Sequence, residues 1–368
     1  MYLKKLSLLN FKNYEEAELD FNDQINCFVG NNGVGKTNLL DSIHYLALSK
    51  SYFNSIDSQN INHNSEFCVI QGVFERQGTD ENIYCGIQRN KRKQFKRNKK
   101  DYPKLSEHIG LIPLVMISPA DSSLIQEGGE ERRKFINGVI SQYDRPYLED
   151  IMNYNRILLQ RNKYLKSIAG VSNPDLAMFD VYDQQLSDLG TNIYLKRKKF
   201  INSLIPVFGK FYNYISDSKE VVSLRYKSQL EVGNMLDLLK KNREKDRIIQ
   251  YTSSGIHRDD LEMLLDSYPL KKTGSQGQQK TFQLALKFAK FDFIHRISGL
   301  FPILLLDDVF DKFDSSRVKQ IIRLVSEGNF GQIFITDTDE ERMKKILSEL
   351  NIENKIFMID EKQKIISN

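Results

Sequence analysis

Eight consecutive residues, Gly30-Asn31-Asn32-Gly33-Val34-Gly35-Lys36-Thr37, have the spacing G-x-x-x-x-G-K-T. An apolar run, Ile25-Asn26-Cys27-Phe28-Val29, comes just before, and a helical pattern from Thr37 to Leu48 follows. A loop of this kind between strand and helix cradles phosphate. The glycines let successive N–H groups turn onto phosphate oxygens, and the helix N-terminus adds partial positive charge. Lys36 would reach the β- and γ-phosphates of a nucleoside triphosphate, and the Thr37 hydroxyl would ligate Mg²⁺. The nucleotide-binding set read from this stretch is Gly30, Asn31, Asn32, Gly33, Val34, Gly35, Lys36, Thr37 and Asn38.

A second element, Ile303-Leu304-Leu305-Leu306-Asp307-Asp308, is an apolar strand delivering a carboxylate at its end. Asp307 is the expected partner of Thr37 on Mg²⁺, and Asp308 could polarise an attacking water. Lys36 and Asp308 are therefore the expected catalytic residues. A third element, Gly274-Ser275-Gln276-Gly277-Gln278-Gln279-Lys280, precedes a helical pattern from Thr281 to Ile294. Small residues at a helix start form a second phosphate-binding shape, with Ser275, Gly277 and Gln278 as its candidates. One nucleotide does not need two cradles. The economical arrangement has this segment meet the γ-phosphate held by another copy of the chain. In isolation, the same heptad also reads as a loop that merely caps a helix.

The elements that must position these residues sit at both ends of the chain. At 368 residues there is room for two domains of roughly 100–200 residues, or one with an insertion. With 40% hydrophobic and 27% charged residues, the chain can bury a core. The three cysteines, Cys27, Cys68 and Cys85, follow no disulfide or zinc pattern and suit a reducing cytoplasm. No segment has the roughly 18 continuous apolar residues of a membrane span. The five histidines lack metal-ligand spacing. Strand patterns fill residues 1–30 and 65–118. Asp144-Arg145-Pro146 starts a helix, with Tyr147, Ile151, Tyr154, Leu158 and Leu165 along one side. Across the link Ala169-Gly170-Val171-Ser172, Asn173-Pro174 starts another, with Phe179, Tyr182, Leu186, Leu189, Ile193 and Phe200. The stepping fits an antiparallel coiled-coil arm or an ordinary helical bundle. The fold expected is α/β, with 1–118 and 250–368 forming a nucleotide-binding head and 119–249 an inserted helical lobe.

The motif order resembles the ATP-binding-cassette class of P-loop ATPases in its chromosome-maintenance branch. More narrowly, it is similar to the RecF family of bacterial recombination mediators. The matching pieces run through the whole chain. They are Leu9-Asn10-Phe11-Lys12-Asn13-Tyr14, the phosphate loop, Ser118-Pro119-Ala120-Asp121 and Glu131-Arg132-Arg133-Lys134-Phe135-Ile136. Farther on come His257-Arg258-Asp259-Asp260-Leu261, the Gly274–Lys280 segment and Leu304-Leu305-Leu306-Asp307-Asp308-Val309. The resemblance implies a P-loop ATPase head that dimerises on ATP and hydrolyses it slowly. It implies binding to duplex DNA near single-strand gaps, cooperation with RecR- and RecO-type mediators, and loading of RecA during the SOS response. By the same resemblance Ser275 is the signature serine, and Asp311 to Asp314 lie where a dimer-crossing loop belongs. Thr336-Asp337-Thr338 stands where transporters carry a switch histidine. Ile256 replaces the family's usual proline, and Lys280 its usual arginine.

For DNA, the natural surface is Arg89 to Lys100, where eight of twelve residues are basic and none is acidic in a chain of net charge +5. Arg89, Lys91, Arg92, Lys93, Lys96, Arg97, Lys99 and Lys100 are the candidates, on an expected β-hairpin. Lys196-Arg197-Lys198-Lys199 is a further one. No base-reading module is visible, so little sequence preference is expected. Three other readings stay open: a P-loop kinase or nucleotidase with a small substrate, a transporter cassette opposed by the missing switch histidine, and a DNA-binding protein with a vestigial site. His257-Arg258-Asp259 superficially resembles a kinase catalytic loop but lacks the later asparagine and Asp-Phe-Gly.

Overall fold

A computed structural model describes residues 1–171, 177–216, 220–310, 318, 321–324, 330–350 and 353–367. The chain forms two compact units, one made of Met1–Asp121 with Lys287–Asn368 and the other of Ser122–Leu286.

The first unit begins with β1 (Tyr2–Phe11), β2 (Tyr14–Asp20), β3 (Ile25–Val29), α1 (Lys36–Leu48), β4 (Phe67–Arg76), β5 (Thr79–Gln88), β6 (Gln94–Arg97), β7 (Lys100–Asp101) and β8 (Leu114–Ile117). The second unit holds α2 (Gly129–Ile140), α3 (Arg145–Ser167), α4 (Ala177–Ser216), β9 (Val222–Lys227), α5 (Met235–Lys241), α6 (Arg243–Ile249), β10 (Asp260–Leu265) and β11 (Tyr268–Pro269). Helix α7 (Gln276–Ser298) starts in the second unit and ends in the first. The first unit then resumes with β12 (Ile303–Leu306), β13 (Ile333–Asp337), α8 (Glu340–Leu350), β14 (Asn354–Ile359) and β15 (Ile365–Ser367).

Two six-stranded sheets make up the first unit. One runs β15-β14-β3-β13-β12-β8 and is parallel except for its edge strand β15. Every residue of β3, β8, β12 and β13 is buried, as expected for a parallel sheet covered on both faces. The other runs β2-β1-β4-β5-β6-β7 and is antiparallel. Its alternating inner residues, Leu6, Ile70, Ile83 and Phe95 among them, share a core with Leu39, Ile43 and Leu46 of α1 and with Phe28, Leu305 and Phe334 of the parallel sheet. Ten of the thirteen α1 residues are buried, so this helix is interior on nearly all sides.

In the second unit, Asp144 caps α3 by accepting a hydrogen bond from Tyr147 N at 2.8 Å. Tyr147, Ile151, Tyr154, Leu165, Phe179, Leu186, Ile193 and Phe200 are buried as their spacing predicts, while Leu158, Tyr182 and Leu189 are half-buried. The seam also encloses Arg161, which donates to Asp183 and Asp246 at 2.8 Å each and to Thr252 at 2.9 Å. Helix α4 packs in addition on α5 and β9. Of the two readings left open, this is the packed helical lobe. Ser172 of the link and the start at Asn173-Pro174 lie outside the described residues. The lobe is also larger than the 119–249 expected, because Ser122–Leu286 is one unit. The strands β9, β10 and β11 form their own antiparallel sheet there, and Arg132 and Arg133 of α2 bind the start of β10.

Candidate nucleotide site

At the end of β3 the chain turns through the phosphate loop into α1. Gly35, just before α1, has φ +116°, and a Cβ there would meet Asn13 Nδ2 at 2.5 Å and the Tyr14 hydroxyl at 2.8 Å. The glycine is required on both counts. Asn13, in the β1–β2 turn, donates to Val34 O at 3.1 Å and accepts from Asn38 Nδ2 at 2.6 Å. The amide of Asn38 thus braces the loop from behind, a role its position in the motif did not suggest. Lys12 beside it pairs with buried Asp41 at 2.6 Å.

Lys36 Nζ donates to the carbonyls of Gly30 at 2.8 Å and Asn31 at 2.9 Å. Burial lowers the pKa of its ammonium, and the nearby carboxylates of Asp308, Asp307 and Asp337 oppose that shift. Strand β12 carries Asp307 to the same place. The Thr37 hydroxyl donates to Asp307 Oδ1 at 2.8 Å and the Ser118 hydroxyl to Oδ2 at 3.2 Å. Thr336, at the end of β13, donates to Asp307 Oδ1 at 3.1 Å and accepts from Asp308 N at 2.8 Å. Burial pushes the Asp307 carboxyl up; the Thr37 hydrogen bond opposes this and the Asp308 charge adds to it. Hydroxyl and carboxylate oxygens converging this closely are the hard donors Mg²⁺ prefers, with water completing its shell. Asp308 is half-exposed and has φ +44°, and its Oδ1 lies 3.3 Å from the same Thr336 hydroxyl. Spacing alone did not identify Ser118 or Thr336. Ser118 lay in a quoted motif, and Thr336 stood at the position noted for its missing histidine.

In the second unit, Ser275 and Gln278 form a reciprocal cap at the start of α7. Gln278 N donates to Ser275 Oγ at 3.2 Å, and Ser275 N to Gln278 Oε1 at 2.7 Å. Gln278 Nε2 continues to Glu220 at 2.7 Å. The capping role is therefore present, and Ser275, Gln276 and Gly277 are exposed around it. A Cβ added at Gly277 would meet nothing nearer than Ser275 Oγ at 3.9 Å. Asp311 to Asp314 lie outside the described residues.

Residues 2–364 match the model of the RecF/RecN/SMC N-terminal domain. The chain is 51% identical over 361 residues to the DNA replication and repair protein RecF of Bacteroides fragilis, covering 98% of this chain and 97% of the relative. The chain belongs to the RecF family. The RecF of Flavobacterium johnsoniae is 49% identical over 357 residues, with 97% and 99% covered. A solved structure of the recombination mediator RecF with ATP, from the RecFOR pathway, matches at TM-score 0.88 and 28% identity over 100% of this chain and 97% of that one. An Smc head bound to part of ScpA matches at TM-score 0.58 and 16% identity, over 100% and 98%, which is likeness of fold. The fold is thus the P-loop ATPase head of the ATP-binding-cassette class with an inserted helical lobe.

Other RecF-type motifs turn out to be scaffold. Arg132 grips Asp260 with two nitrogens at 2.6 and 3.0 Å, and Arg133 donates to Asp259 O at 2.7 Å. The run Lys196-Arg197-Lys198-Lys199 is not one basic surface: Arg197 is 1% exposed and bound to Asp259, while Lys196 pairs with Asp144 at 2.8 Å. His257 has its Nε2 at 2.9 Å from Thr252 O, so Nε2 donates and Nδ1 accepts from the Tyr154 hydroxyl at 2.9 Å. Burial holds this imidazole down at about 4. An unfolded histidine titrates near 6.5, so between these values the unfolded chain binds a proton that the folded chain refuses. Stability contributed by His257 is present above pH 6.5 and falls with pH by up to about 1.4 kcal/mol per unit. Urea titrations from pH 7.5 to 4.5 should show the wild type losing stability more steeply than His257→Gln.

The basic segment spans the β5–β6 turn, β6, and the tight β6–β7 turn at Asn98 and Lys99, both with positive φ. Two of its eight cations serve the fold. Lys93 binds Ser49 O at 2.6 Å and Asp57 at 3.1 Å, and Arg97 pairs with Glu81. Arg89 donates to Ser65 O at 3.2 Å, and Lys96 lies 4.0 Å from Asp101. Lys91, Arg92, Lys99 and Lys100 are exposed.

Proposed function

We propose that this RecF-family chain is an ATP-gated DNA clamp of replication and recombinational repair. Its coarse role, as an ATPase of DNA replication and repair, accords with the family. The observation that carries the finer reading is the pair of phosphate-binding shapes. One is a complete Lys36–Thr37–Asp307 site, and the other an exposed Ser275-Gln276-Gly277 helix start in the second unit.

In this mechanism the loop amides and Lys36 hold the triphosphate. Thr37 and Asp307 would hold Mg²⁺, which would supply positive charge to offset that of the triphosphate. Asp308 orients the attacking water. Ser275, with Gly277 and Gln278, meets the γ-phosphate on a second copy, so ATP closes a homodimer and hydrolysis opens it. The arrangement times release, which suits slow, DNA-stimulated turnover. Exposed cations of Arg89–Lys100 contact duplex phosphates near a single-strand gap, without base reading. Cooperation with RecO- and RecR-type mediators and loading of RecA in the SOS response follow from the family reading. The solved RecF relative is itself named as part of the RecFOR pathway. Among the described residues no helix is long and apolar enough to cross a membrane. The proposed setting is the cytoplasm.

The test is duplex-DNA binding by wild type, Lys36→Met and Ser275→Arg, with and without ATP, at two salt concentrations. ATP should tighten wild-type binding roughly tenfold or more, a usual coupling strength, and should leave both variants unchanged. Binding should weaken steeply with salt. Equal binding by all three proteins regardless of ATP would remove the gate. Brisk ATP turnover with no DNA affinity would favour a small-substrate nucleotidase.

A further inference from the structure

Strand β13 ends in Asp337, which lies in register with Val29, the residue that enters the phosphate loop. Its neighbour Thr336 already binds Asp307 and the backbone of Asp308. Asp337 is therefore a third carboxylate at this end of the parallel sheet, and it is buried. Burial lowers the pKa of the Lys36 ammonium, and the charge of Asp337 opposes this together with those of Asp308 and Asp307. A nucleoside triphosphate brings its own negative charge to the same lysine. A bare carboxylate at Asp337 would compete with it for that lysine.

Arg342 covers this carboxylate. After β13, Asp339 N donates to Asp337 Oδ1 at 2.8 Å, and Asp339 Oδ1 accepts from Arg342 N at 2.9 Å at the start of α8. From that first turn Arg342 Nη2 donates to Asp337 Oδ1 at 2.7 Å and to Oδ2 at 2.6 Å. One nitrogen makes both bonds, while Nε is buried without a hydrogen-bond partner among the described residues. Arg132 holds Asp260 differently, with two nitrogens in a fork. Arg342 lacks that fitted grip, so what it brings to Asp337 is chiefly charge.

We infer that Arg342 is a positioning residue for the nucleotide: by cancelling the charge of Asp337 it keeps Lys36 available to the γ-phosphate and favours triphosphate over diphosphate. The inference rests on the nucleotide-site reading and adds to it a residue that lies in none of the phosphate-binding motifs. A diphosphate lacks the terminal charge, so it feels the loss of Arg342 less. An ion pair that served only the fold would behave otherwise, since removing either partner would then harm the site alike.

The full chain is titrated with fluorescent ADP and with a fluorescent, non-hydrolysable ATP analogue, each with Mg²⁺. Arg342→Gln should weaken the triphosphate roughly tenfold, the scale of one uncompensated charge in a half-buried site, and the diphosphate by less than about threefold. Arg342→Lys keeps the charge and should retain most of the affinity. Asp337→Asn should bind the triphosphate at least as tightly as wild type, because the competing charge is gone. Adding Asp337→Asn to Arg342→Gln should recover most of the loss. Thermal melts report folding separately. If Arg342→Gln weakens both nucleotides equally, or if Asp337→Asn weakens the triphosphate as Arg342→Gln does, the pair serves only the fold and the inference falls. Should Arg342→Gln not fold, Asp337→Asn decides alone: weaker triphosphate binding overturns the inference, and equal or tighter binding sustains it. If wild type binds neither nucleotide, the nucleotide-site reading itself falls and the inference with it.

Discussion

Asp308→Asn is expected to stop ATP hydrolysis while leaving ATP binding intact. The two adjacent carboxylates differ in surroundings in a way that assigns them different work. Asp307 is buried and accepts hydrogen bonds from Thr37, Thr336 and Ser118. It is suited to hold a cation and poorly placed to take a proton from a passing water. Asp308 is half-exposed, its backbone pinned to Thr336 by the 2.8 Å bond from its own N–H. Asparagine keeps that backbone bond and the side-chain volume and loses only the basic oxygen. Phosphate release should fall by roughly 10²–10⁴, the usual contribution of a positioned base. Fluorescent ATP should bind as before, and DNA affinity with ATP should be preserved or prolonged. If Asp308→Asn turns over at the wild-type rate, the water is oriented by another group.

Arg197→Met is expected to destabilise the helical lobe by about 3–5 kcal/mol, the cost of stranding one partner of a buried ion pair. The guanidinium is enclosed by α2, α3 and the turn before β10. It donates to Ile256 O at 2.8 Å, Asp259 at 2.9 Å, Asn137 Oδ1 at 3.0 Å and the Tyr147 hydroxyl at 3.1 Å. Methionine fills much of the volume and answers none of these acceptors, leaving the Asp259 carboxylate without its cation. Lysine should rescue poorly, since one ammonium cannot span four acceptors set by a planar fork. Adding Asp259→Asn should recover part of the loss, because the stranded charge goes with it. Urea unfolding of the three proteins checks this; a loss under about 1 kcal/mol for Arg197→Met would show that the pair is not what holds the turn.

Arg197 also marks where the sequence was hard to read. The phosphate loop and the β12 carboxylates were legible because the chemistry fixes residue type and spacing within a few positions. The strands were legible because β12 is an unbroken apolar run and β3 and β13 are apolar apart from Asn26 and the terminal Thr336-Asp337. Long-range partnership was not. Nothing near Arg197 in sequence indicates that Asp259 lies in reach, so a run of four basic residues looked like surface. Asn38 shows the same limit at short range: its place after the loop suggested phosphate, and the β1–β2 turn claimed its amide. The 3.5-residue stepping located α3 and α4 but not Arg161, because periodicity counts apolar residues and a buried guanidinium interrupts the count.

The ion pair of Lys287 with Asp121, at 2.5 Å, joins the two residues between which the second unit is inserted. This bears on the order of events as the chain leaves the ribosome. Strand β3 is made early, yet its neighbours β13 and β14 arrive only near the end of synthesis. Threading so distant a pairing through a disordered intervening segment would cost about 5 kcal/mol of closure entropy. The inserted unit is complete once residue 286 has emerged, and by folding first it brings its own two ends together. The late strands then meet the early ones as if little chain lay between them.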